Sequence, residues 1–251
     1  MLIDGFTVVM VSATFLVAGA VKGVIGLGLP TVSLALLAVV VGLPEAMGLL
    51  LVPSFATNLW QAWVGDRGRA ILRRLWPFLA MATVTVWLGA AALTRVDVSV
   101  LSGLLGLLLM VYGAASLGGY RWTITARREA WAGPVAGAVN GALTGMTGTL
   151  VVPGVMYLQS LGLGRGMLVQ AMGMLFLVST AALAVALQGN GLLTVEVGAL
   201  STAALLPALV GMIVGQRIRR NLSERRFRRV FFVSLLVVGG YILASALPGL
   251  P

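Results

Sequence analysis

The sequence contains no cysteine and no histidine, and charged residues make up only 10% of its 251 residues. Without these two side chains there is no disulfide framework, no thiolate metal site and no catalytic pair in which histidine activates serine or cysteine. The seven acidic residues lie at or near the ends of apolar runs, so no carboxylate pair is placed in a membrane to hold a metal or relay protons. A GxxxxGK[ST] phosphate loop is also missing. These absences argue against an enzyme, a built-in ATPase and a bound cofactor.

Apolar residues and glycine are abundant instead: 59% of the chain is hydrophobic and 33 residues are glycine. A soluble domain carries roughly 25% charged residues, and apolar runs of about 20 residues are long enough to span a bilayer. The sequence therefore predicts an all-α polytopic membrane protein with about eight spanning helices plus short broken or re-entrant segments. The predicted apolar segments are 5–21, 30–43, 46–64, 75–93, 99–117, 131–147, 150–161, 167–187, 193–215 and 230–247.

The net charge of +10 comes from arginines that are concentrated in three loops between the apolar runs. Basic residues in such loops indicate the cytoplasmic side of a membrane rather than a nucleic-acid site. The arginines that define these inside loops are Arg67, Arg69, Arg73 and Arg74, then Arg121, Arg127 and Arg128, and finally Arg217, Arg219, Arg220, Arg225, Arg226, Arg228 and Arg229. The arginine-poor loops 94–98 and 188–196 are predicted to lie outside. Counting from these loops places both termini on the outer side of a cell inner membrane.

The chain also resembles itself, because GAVKG at 19–23 returns as GAVNG at 137–141. In each half, glycines and a proline follow, and then a short apolar run leads into GLPEAM (42–47) or GLGRGM (162–167). The arginine-rich loops orient the two halves in opposite directions, and opposed halves with interrupted helices are typical of secondary transporters. We therefore predict two inverted-topology membrane repeats, at 1–118 and 131–251, joined by a cytoplasmic linker at 119–130.

Each half contains a glycine-rich helix break, where backbone N–H groups are available to a substrate. The first break, KGVIGLGLP at 22–30, includes Lys22, which is the only lysine of the chain. Two interpretations of Lys22 stand side by side: its ammonium group reaches the inner membrane interface, or it faces a cavity and pairs with an anion. The second break offers neutral hydrogen-bonding groups, and its threonines suit either a substrate or backbone carbonyls of their own helix.

Asn58 and Gln170 lie inside spans and are the most costly of the polar residues there to bury without a partner. They are candidates for the wall of the site or for an interhelical hydrogen bond. Gly103, Gly106 and Gly113 are predicted to be close-packing contacts between helices. The candidate substrate-binding residues are Lys22, Gly23, Gly26, Gly28, Asn58, Asn140, Thr144, Gly145, Thr147, Gly148 and Gln170.

These motifs resemble those of a known family. The stretches KGVIGLGLP (22–30) and SFATNLWQA (54–62) are similar to the first half of the sulfite exporter TauE/SafE membrane proteins. The stretches GALTGMTGTLVVPGVMYLQSLGL and RGMLVQAMGMLFLVST, within 141–180, are similar to their second half. The resemblance covers most of the chain, and it implies a small permease that moves sulfite, sulfonates or related organic anions across the inner membrane.

The sequence as a whole predicts a secondary transporter, acting as an exporter of a small anion by alternating access at the two breaks. A passive anion channel that uses the same cavity is the alternative hypothesis. The predicted partners are the small anionic substrate and the lipid bilayer, without nucleic acid. The direction of transport, the coupling ion and the presence of a homo-oligomer stay open at this point.

Overall fold

The computed structural model describes residues 4–119, 123–219 and 223–247, and within these ranges the chain forms twelve helices and no strand. The prediction of an all-α protein is therefore confirmed for the described part. Arg121 and Arg220, two of the arginines used to predict the inside loops, lie outside the described residues. In chain order the helices are α1 Gly5–Ile25, α2 Leu29–Val40, α3 Leu43–Leu49, α4 Leu51–Trp63, α5 Gly68–Val84, α6 Val86–Leu93, α7 Val98–Leu117, α8 Ala126–Thr147, α9 Gly154–Ser160, α10 Arg165–Gly189, α11 Val195–Ile218 and α12 Glu224–Ala246.

Each predicted apolar segment coincides with a helix or a broken pair of helices, and six helical stretches are long and apolar enough to cross a membrane. These six stretches of the described chain are Gly5–Ile25, Gly68–Leu93, Val98–Leu117, Arg165–Gly189, Val195–Ile218 and Arg225–Ala246. The predicted span 46–64 is divided by a turn at Leu50 into α3 and α4, of 7 and 13 residues. The predicted span 131–147 lies in α8, whose many glycines and Asn140 make it less apolar than the six.

Two helices begin at aspartates that cap their first turn. The Asp4 side chain accepts a hydrogen bond of 2.8 Å from the Thr7 backbone N–H at the start of α1. The Asp97 side chain accepts one of 2.8 Å from the Ser99 backbone N–H at the start of α7. The hydrogen bonds from Thr7 and from Ser99 hold the pKa values of these two carboxyl groups below their usual value, because they favour the charged form. The two acidic residues thus fix helix starts.

The helices divide into two compact units, and each unit is discontinuous in sequence. Unit 1 takes its described residues from 1–53, 96–119 and 191–251, and it contains α1, α2, α3, α7, α11 and α12. Unit 2 takes its described residues from 54–95 and 120–190, and it contains α5, α6, α8, α9 and α10 together with most of α4. Each unit therefore combines helices from both halves of the sequence.

In unit 1, α1 packs along α11 through glycines that allow the two backbones to touch. A Cβ atom added to Gly19 would overlap the Ala208 carbonyl oxygen, and one added to Gly23 would overlap the Met212 carbonyl oxygen. Because residue numbers rise together along both helices, α1 and α11 run parallel. Small residues at such contacts let helices approach closely, as at helix interfaces in membranes.

The second main helix pair of unit 1 consists of α7 and α12, which run antiparallel. Gly106 lies against the Gly239 carbonyl oxygen, and Gly113 lies against the Phe232 carbonyl oxygen, seven residues earlier in α12. A Cβ on Gly103 would come within 3.3 Å of Cβ of Ala246. The prediction that these α7 glycines are close-packing contacts is therefore confirmed.

Unit 1 also contains the turn that divides α3 from α4, and a serine from α11 satisfies its backbone. The Ser201 hydroxyl donates to the Leu49 carbonyl at 2.8 Å and accepts from the Val52 N–H at 3.1 Å. Ser201 is fully buried, so both backbone groups are satisfied away from solvent.

In unit 2, α8 packs along α5 and α6, again through glycines. Cβ atoms added to Gly137 and Gly141 would overlap the carbonyl oxygens of Phe78 and Ala82, respectively. The residue numbers again rise together, so α8 runs parallel to the α5–α6 pair. Where α5 meets α6, the Thr85 hydroxyl lies 2.8 Å from the carbonyl oxygens of both Met81 and Ala138.

A bidentate ion pair joins α5 to α8 at the start of the same interface. The Arg74 guanidinium donates from Nε and from one terminal nitrogen to the two carboxylate oxygens of Glu129, at 2.7 and 2.8 Å. The Tyr157 ring stacks near it on Phe78, with ring centroids 4.8 Å apart. The ion pair therefore joins α5 and α8 at one end of their interface by two parallel hydrogen bonds, which is the strongest arrangement of an arginine and a carboxylate.

Candidate functional site

The first break lies in unit 1, where α1 ends and α2 begins after three residues. Gly26 takes a left-handed conformation with φ of 85°, and its N–H donates to the Lys22 carbonyl at 2.7 Å. Gly28 is also left-handed, with φ of 106°, and Pro30 occupies the first turn of α2. Only glycine adopts such φ values at low cost, so GLGLP ends one helix and begins the next. The predicted break is present at Gly26 and Gly28.

Lys22 lies in the last turn of α1, and only 5% of the residue is exposed. Gly23, the next residue, packs against Met212 of α11, which draws this turn of α1 into unit 1. A buried ammonium group is costly unless it is paired or hydrogen-bonded. The burial of Lys22 therefore speaks against the interpretation in which its ammonium group reaches the membrane interface. It agrees better with the interpretation in which this group lies inside the protein.

The second break lies in unit 2, where α8 ends in the same way as α1. Gly148 is left-handed with φ of 72°, and its N–H donates to the Thr144 carbonyl at 2.8 Å. The helix that follows, α9, begins after Pro153 and has only 7 residues. The second predicted break is thus present at Gly148, and the geometry of its helix end matches that of Gly26.

The threonines of this break are bonded to the backbone around them. The Thr144 hydroxyl lies 2.8 Å from both the Asn140 and the Thr149 carbonyl oxygens. The Thr147 hydroxyl donates to the Leu143 carbonyl at 2.7 Å and accepts from the Thr149 N–H at 3.3 Å. Each hydroxyl can donate only one hydrogen bond, and in this arrangement it donates that bond to a backbone carbonyl. The structure therefore favours a local role for Thr144 and Thr147 in holding the break.

Asn140 lies two turns before the end of α8 and is fully buried. Its Oδ1 accepts a hydrogen bond of 2.9 Å from the Gly154 N–H at the start of α9. This bond orients the amide, because an NH₂ group in that place would face another donor. Nδ2 has no hydrogen-bond partner among the described residues. Asn140 therefore carries two donor hydrogens that no residue in the described part of the chain accepts.

Gln170 takes part in a reciprocal clasp between α4 and α10. Its Nε2 donates to the Ala62 carbonyl at 3.0 Å, and Nε2 of Gln61 donates to the Val169 carbonyl at 2.8 Å. Both residues are buried. The sequence offered two roles for Gln170, in the wall of the site or in an interhelical hydrogen bond, and the structure shows the interhelical hydrogen bond. Asn58, one turn before Gln61 in α4, is fully buried as well.

Gly145 is a packing residue on the face of α8 that meets α6. A Cβ atom added there would overlap the Val86 carbonyl oxygen and come within 2.5 Å of the Ala90 backbone nitrogen. Gly145 thus continues the series of Gly137 and Gly141 along the helix. Its lack of a side chain is explained by the helix contact alone.

The candidate residues are therefore divided between the units. Lys22, Gly23, Gly26 and Gly28 lie together at the end of α1 in unit 1, and the rest of the predicted set lies in unit 2. Unit 2 also contains buried polar residues that are not among the predicted site residues. Among them are Ser54, Ser179 and Thr180, whose buried hydroxyl oxygens lack hydrogen-bond partners among the described residues. The described residues contain no group of three or more acidic residues, histidines or cysteines that could hold a metal.

Six long apolar helical stretches are typical of a multi-pass helical membrane protein, and two helices of the chain, α1 and α8, end at left-handed glycines beside buried polar residues. The profile of the family described as Sulfite exporter TauE/SafE matches residues 11–242. The chain therefore belongs to the sulfite exporter TauE/SafE family, and this membership implies a membrane transporter of sulfite or related anions. Neither a curated protein nor a solved structure matches the chain significantly.

Proposed function

We propose that the protein is a secondary transporter that exports a small sulfur-containing or organic anion, such as sulfite or a sulfonate, across the cell inner membrane. In this proposal both glycine-rich breaks contribute substrate contacts, and transport proceeds by alternating access. Lys22 supplies positive charge, Asn140 supplies hydrogen-bond donors, and the glycines let backbone approach the anion. The substrate is the predicted small-molecule partner, and the surrounding bilayer is the other.

The observation that carries this proposal is the equivalence of Lys22 and Asn140. The two residues occupy the same position in GAVKG and GAVNG, and both are buried, at 5% and 0% exposure. The helix that each belongs to ends a turn or two later at a left-handed glycine. Each unit therefore has, shortly before a helix break, one buried side chain that can donate hydrogen bonds to an anion.

The packing of the two helices supports the same equivalence. The first motif glycine of α1 lies against Ala208 of α11, and the first motif glycine of α8 lies against Phe78 of α5. Each of these partner residues follows a proline inside its helix, namely Pro207 and Pro77. In both pairs the helices run parallel. The repeat thus extends from the motif to the helix on which the motif packs.

The helix directions within each unit also support the predicted topology. The arginine-rich loops predict that α1 and α11 both run inward, and these helices are parallel. They predict opposite directions for α7 and α12, and these are antiparallel. The proposal therefore retains two inverted-topology repeats, at 1–118 and 131–251, with about eight spans and both termini outside.

Export of an anion has a driving force that needs no carboxylate in the membrane. An inside-negative potential expels an anion with about 2.3 kcal/mol per charge for each 100 mV. That is close to a fiftyfold concentration ratio, since 1.4 kcal/mol corresponds to a factor of ten. A uniporter working on this potential is the simplest form of the proposal.

The test is flux of sulfite and of a sulfonate in proteoliposomes that contain the full chain. Lys22→Ala should raise the substrate concentration for half-maximal flux at least tenfold, while Lys22→Arg should keep part of the affinity, because it keeps the charge. Arg95→Ala, which removes an exposed charge from a predicted outside loop, is the control and should leave the flux unchanged. Full retention of affinity in Lys22→Ala would remove Lys22 from the site. Saturation with counterflow supports a carrier, whereas single-channel currents would establish a passive channel instead.

A further inference from the structure

The middle of α10 carries polar groups that have no hydrogen bond to any residue the structure describes. Ser179 and Thr180 are 0% and 1% exposed, and neither hydroxyl has a partner among the described residues. Helical hydroxyls usually donate to a carbonyl one turn earlier, as Thr83 does to Leu79 at 2.8 Å. Such a carbonyl lies one turn before Ser179 and Thr180 as well, yet the hydroxyls do not use it. Two adjacent hydroxyls are thus left available inside unit 2.

One of them, Thr180, lies seven residues after Gly173, the residue at which α10 meets α4. Gly65 lies against Gln170, whereas Gly173 lies against Gln61, so α4 and α10 run antiparallel. Seven residues onward along α10 and seven back along α4, this register brings Thr180 to the level of Ser54, because residues seven apart share a helix face. The Ser54 hydroxyl is also fully buried and without a partner among the described residues. By this register, Thr180 and Ser54 lie at the same level of the α4–α10 pair.

Ser179 lies one turn after Leu175, the residue of α10 that meets the start of α9. A Cβ atom on Gly154 would come within 2.5 Å of Asn140 Oδ1 and within 2.8 Å of Leu175 Cδ2, so Asn140 and Leu175 meet at Gly154. Leu175 and Ser179 are one turn apart on the same face of α10. Asn140 therefore meets α10 at Leu175, about one helical turn before Ser179.

We infer that these groups form an uncharged oxyanion site in the middle of α10, in which Asn140, Ser179 and Thr180 donate hydrogen bonds to the oxygens of a small anion, with Ser54 beside them. The inference rests on the proposed transport function and assigns the chemistry by which unit 2 binds the substrate. The Asn140 amide favours a ligand that accepts hydrogen bonds, because its Oδ1 already accepts one from the Gly154 N–H and only its Nδ2 donors are left for a ligand. A sulfite or sulfonate group presents several acceptor oxygens and so satisfies several donors at once. A cation finds no complementary charge among these four residues.

The site makes an unusual prediction about ligand binding and stability together. Replacing an unpartnered buried hydroxyl by a methyl group removes a desolvation cost, so Ser179→Ala and Thr180→Val should leave the unliganded protein equally stable or more stable. The same changes should weaken sulfite binding about tenfold each, since each removes a hydrogen bond to a charged ligand. A hydroxyl with a purely structural role would behave in the opposite way, losing stability and keeping affinity.

The experiment measures the thermal midpoint of the purified full-length protein with increasing sulfite, together with sulfite flux in proteoliposomes. Thr83→Val is the matched control, because that hydroxyl lies in the same unit and is bonded to its own helix. It should keep the sulfite-dependent shift. Asn140→Asp retains the acceptor for Gly154 but loses both Nδ2 donors, so it should abolish most of the shift, while the exposed Asn190→Asp should not. These asparagine variants decide the question if a hydroxyl variant fails to fold.

The outcomes separate this inference from the proposed function. Weaker sulfite binding in the Ser179, Thr180 and Asn140 variants, with unchanged controls, supports the site. If all three variants keep sulfite flux and binding within twofold of the wild type, the site is refuted. The proposed transport function would still stand in that case. A wild-type protein that neither binds nor moves any sulfur oxyanion would overturn both.

Discussion

The substitution Gly145→Ala tests whether this glycine serves packing or the substrate. Gly145 lies within α8, on the face that touches α6, where a Cβ atom would overlap the Val86 carbonyl oxygen. The opposing atoms are backbone atoms of a packed helix, so no side-chain rotation relieves the overlap. Overpacking of this kind costs about 1–3 kcal/mol and occasionally more. We take the upper part of that range because the clash involves rigid backbone.

A matched control separates this packing cost from the effect of alanine on helix formation. Alanine favours a helix over glycine by about 1 kcal/mol. Gly240 lies in the interior of α12, and a Cβ atom there would meet only the sulfur of Met110, at 4.0 Å. Gly240→Ala should therefore stabilise the protein by up to about 1 kcal/mol, while Gly145→Ala should destabilise it by about 2 kcal/mol.

The measurement is the thermal midpoint of unfolding of the wild type and both variants in detergent, with intrinsic tryptophan fluorescence as the signal. A difference of about 3 kcal/mol corresponds to roughly 6–12 °C for a chain of this length. Gly240→Ala should have the higher midpoint and the wild type should lie between the two variants. A Gly145→Ala midpoint equal to or above that of Gly240→Ala would refute the packing argument and return Gly145 to the list of substrate contacts.

Three further changes test particular contacts. Ser201→Ala should lower stability by about 1–3 kcal/mol, because it leaves the Leu49 carbonyl and a backbone N–H buried without a partner; an unchanged thermal midpoint would contradict this. Tyr112→Phe should be neutral or slightly stabilising, since the buried Tyr112 hydroxyl has no partner among the described residues, and a clear loss of stability would speak against that. Glu129→Gln should cost about 1 kcal/mol at most, because Arg74 is half-exposed; a double-mutant cycle with Arg74→Gln measures the coupling, and zero coupling would show that the ion pair contributes nothing.

The helices and breaks were predictable because their signals are local. Apolar runs require helices in a membrane, and glycine at a left-handed position ends a helix wherever it occurs in such a run. The glycine-rich breaks that contain Gly26, Gly28 and Gly148 were predicted from the sequence, and the structure places helix ends there. The boundaries were less predictable, since α5 and α8 extend into the arginine-rich loops that hydropathy alone treats as linkers.

The roles of individual polar residues were not predictable in the same way. Thr144 and Ser179 are both hydroxyl residues inside apolar helices, yet one is bonded to nearby carbonyls and the other has no partner among the described residues. Gln170 looked suitable for a substrate wall, and its amide nitrogen is bonded to Ala62 of another helix. Whether a polar group is used by the fold depends on atoms distant in sequence, so composition and spacing did not reveal it.

By itself, the sequence determined the membrane class, the family, the two helix breaks and the repeated motif that contains Lys22 and Asn140. These features follow from composition and from short-range backbone preferences, which each segment carries with it. Only the tertiary structure decided that Gly145 is a packing residue, that Gln170 belongs to a clasp, and that the two Nδ2 donors of Asn140 are not used within the described ranges. The physical reason is that a buried hydrogen bond or a backbone contact needs a partner, and the partner is chosen by how the helices pack.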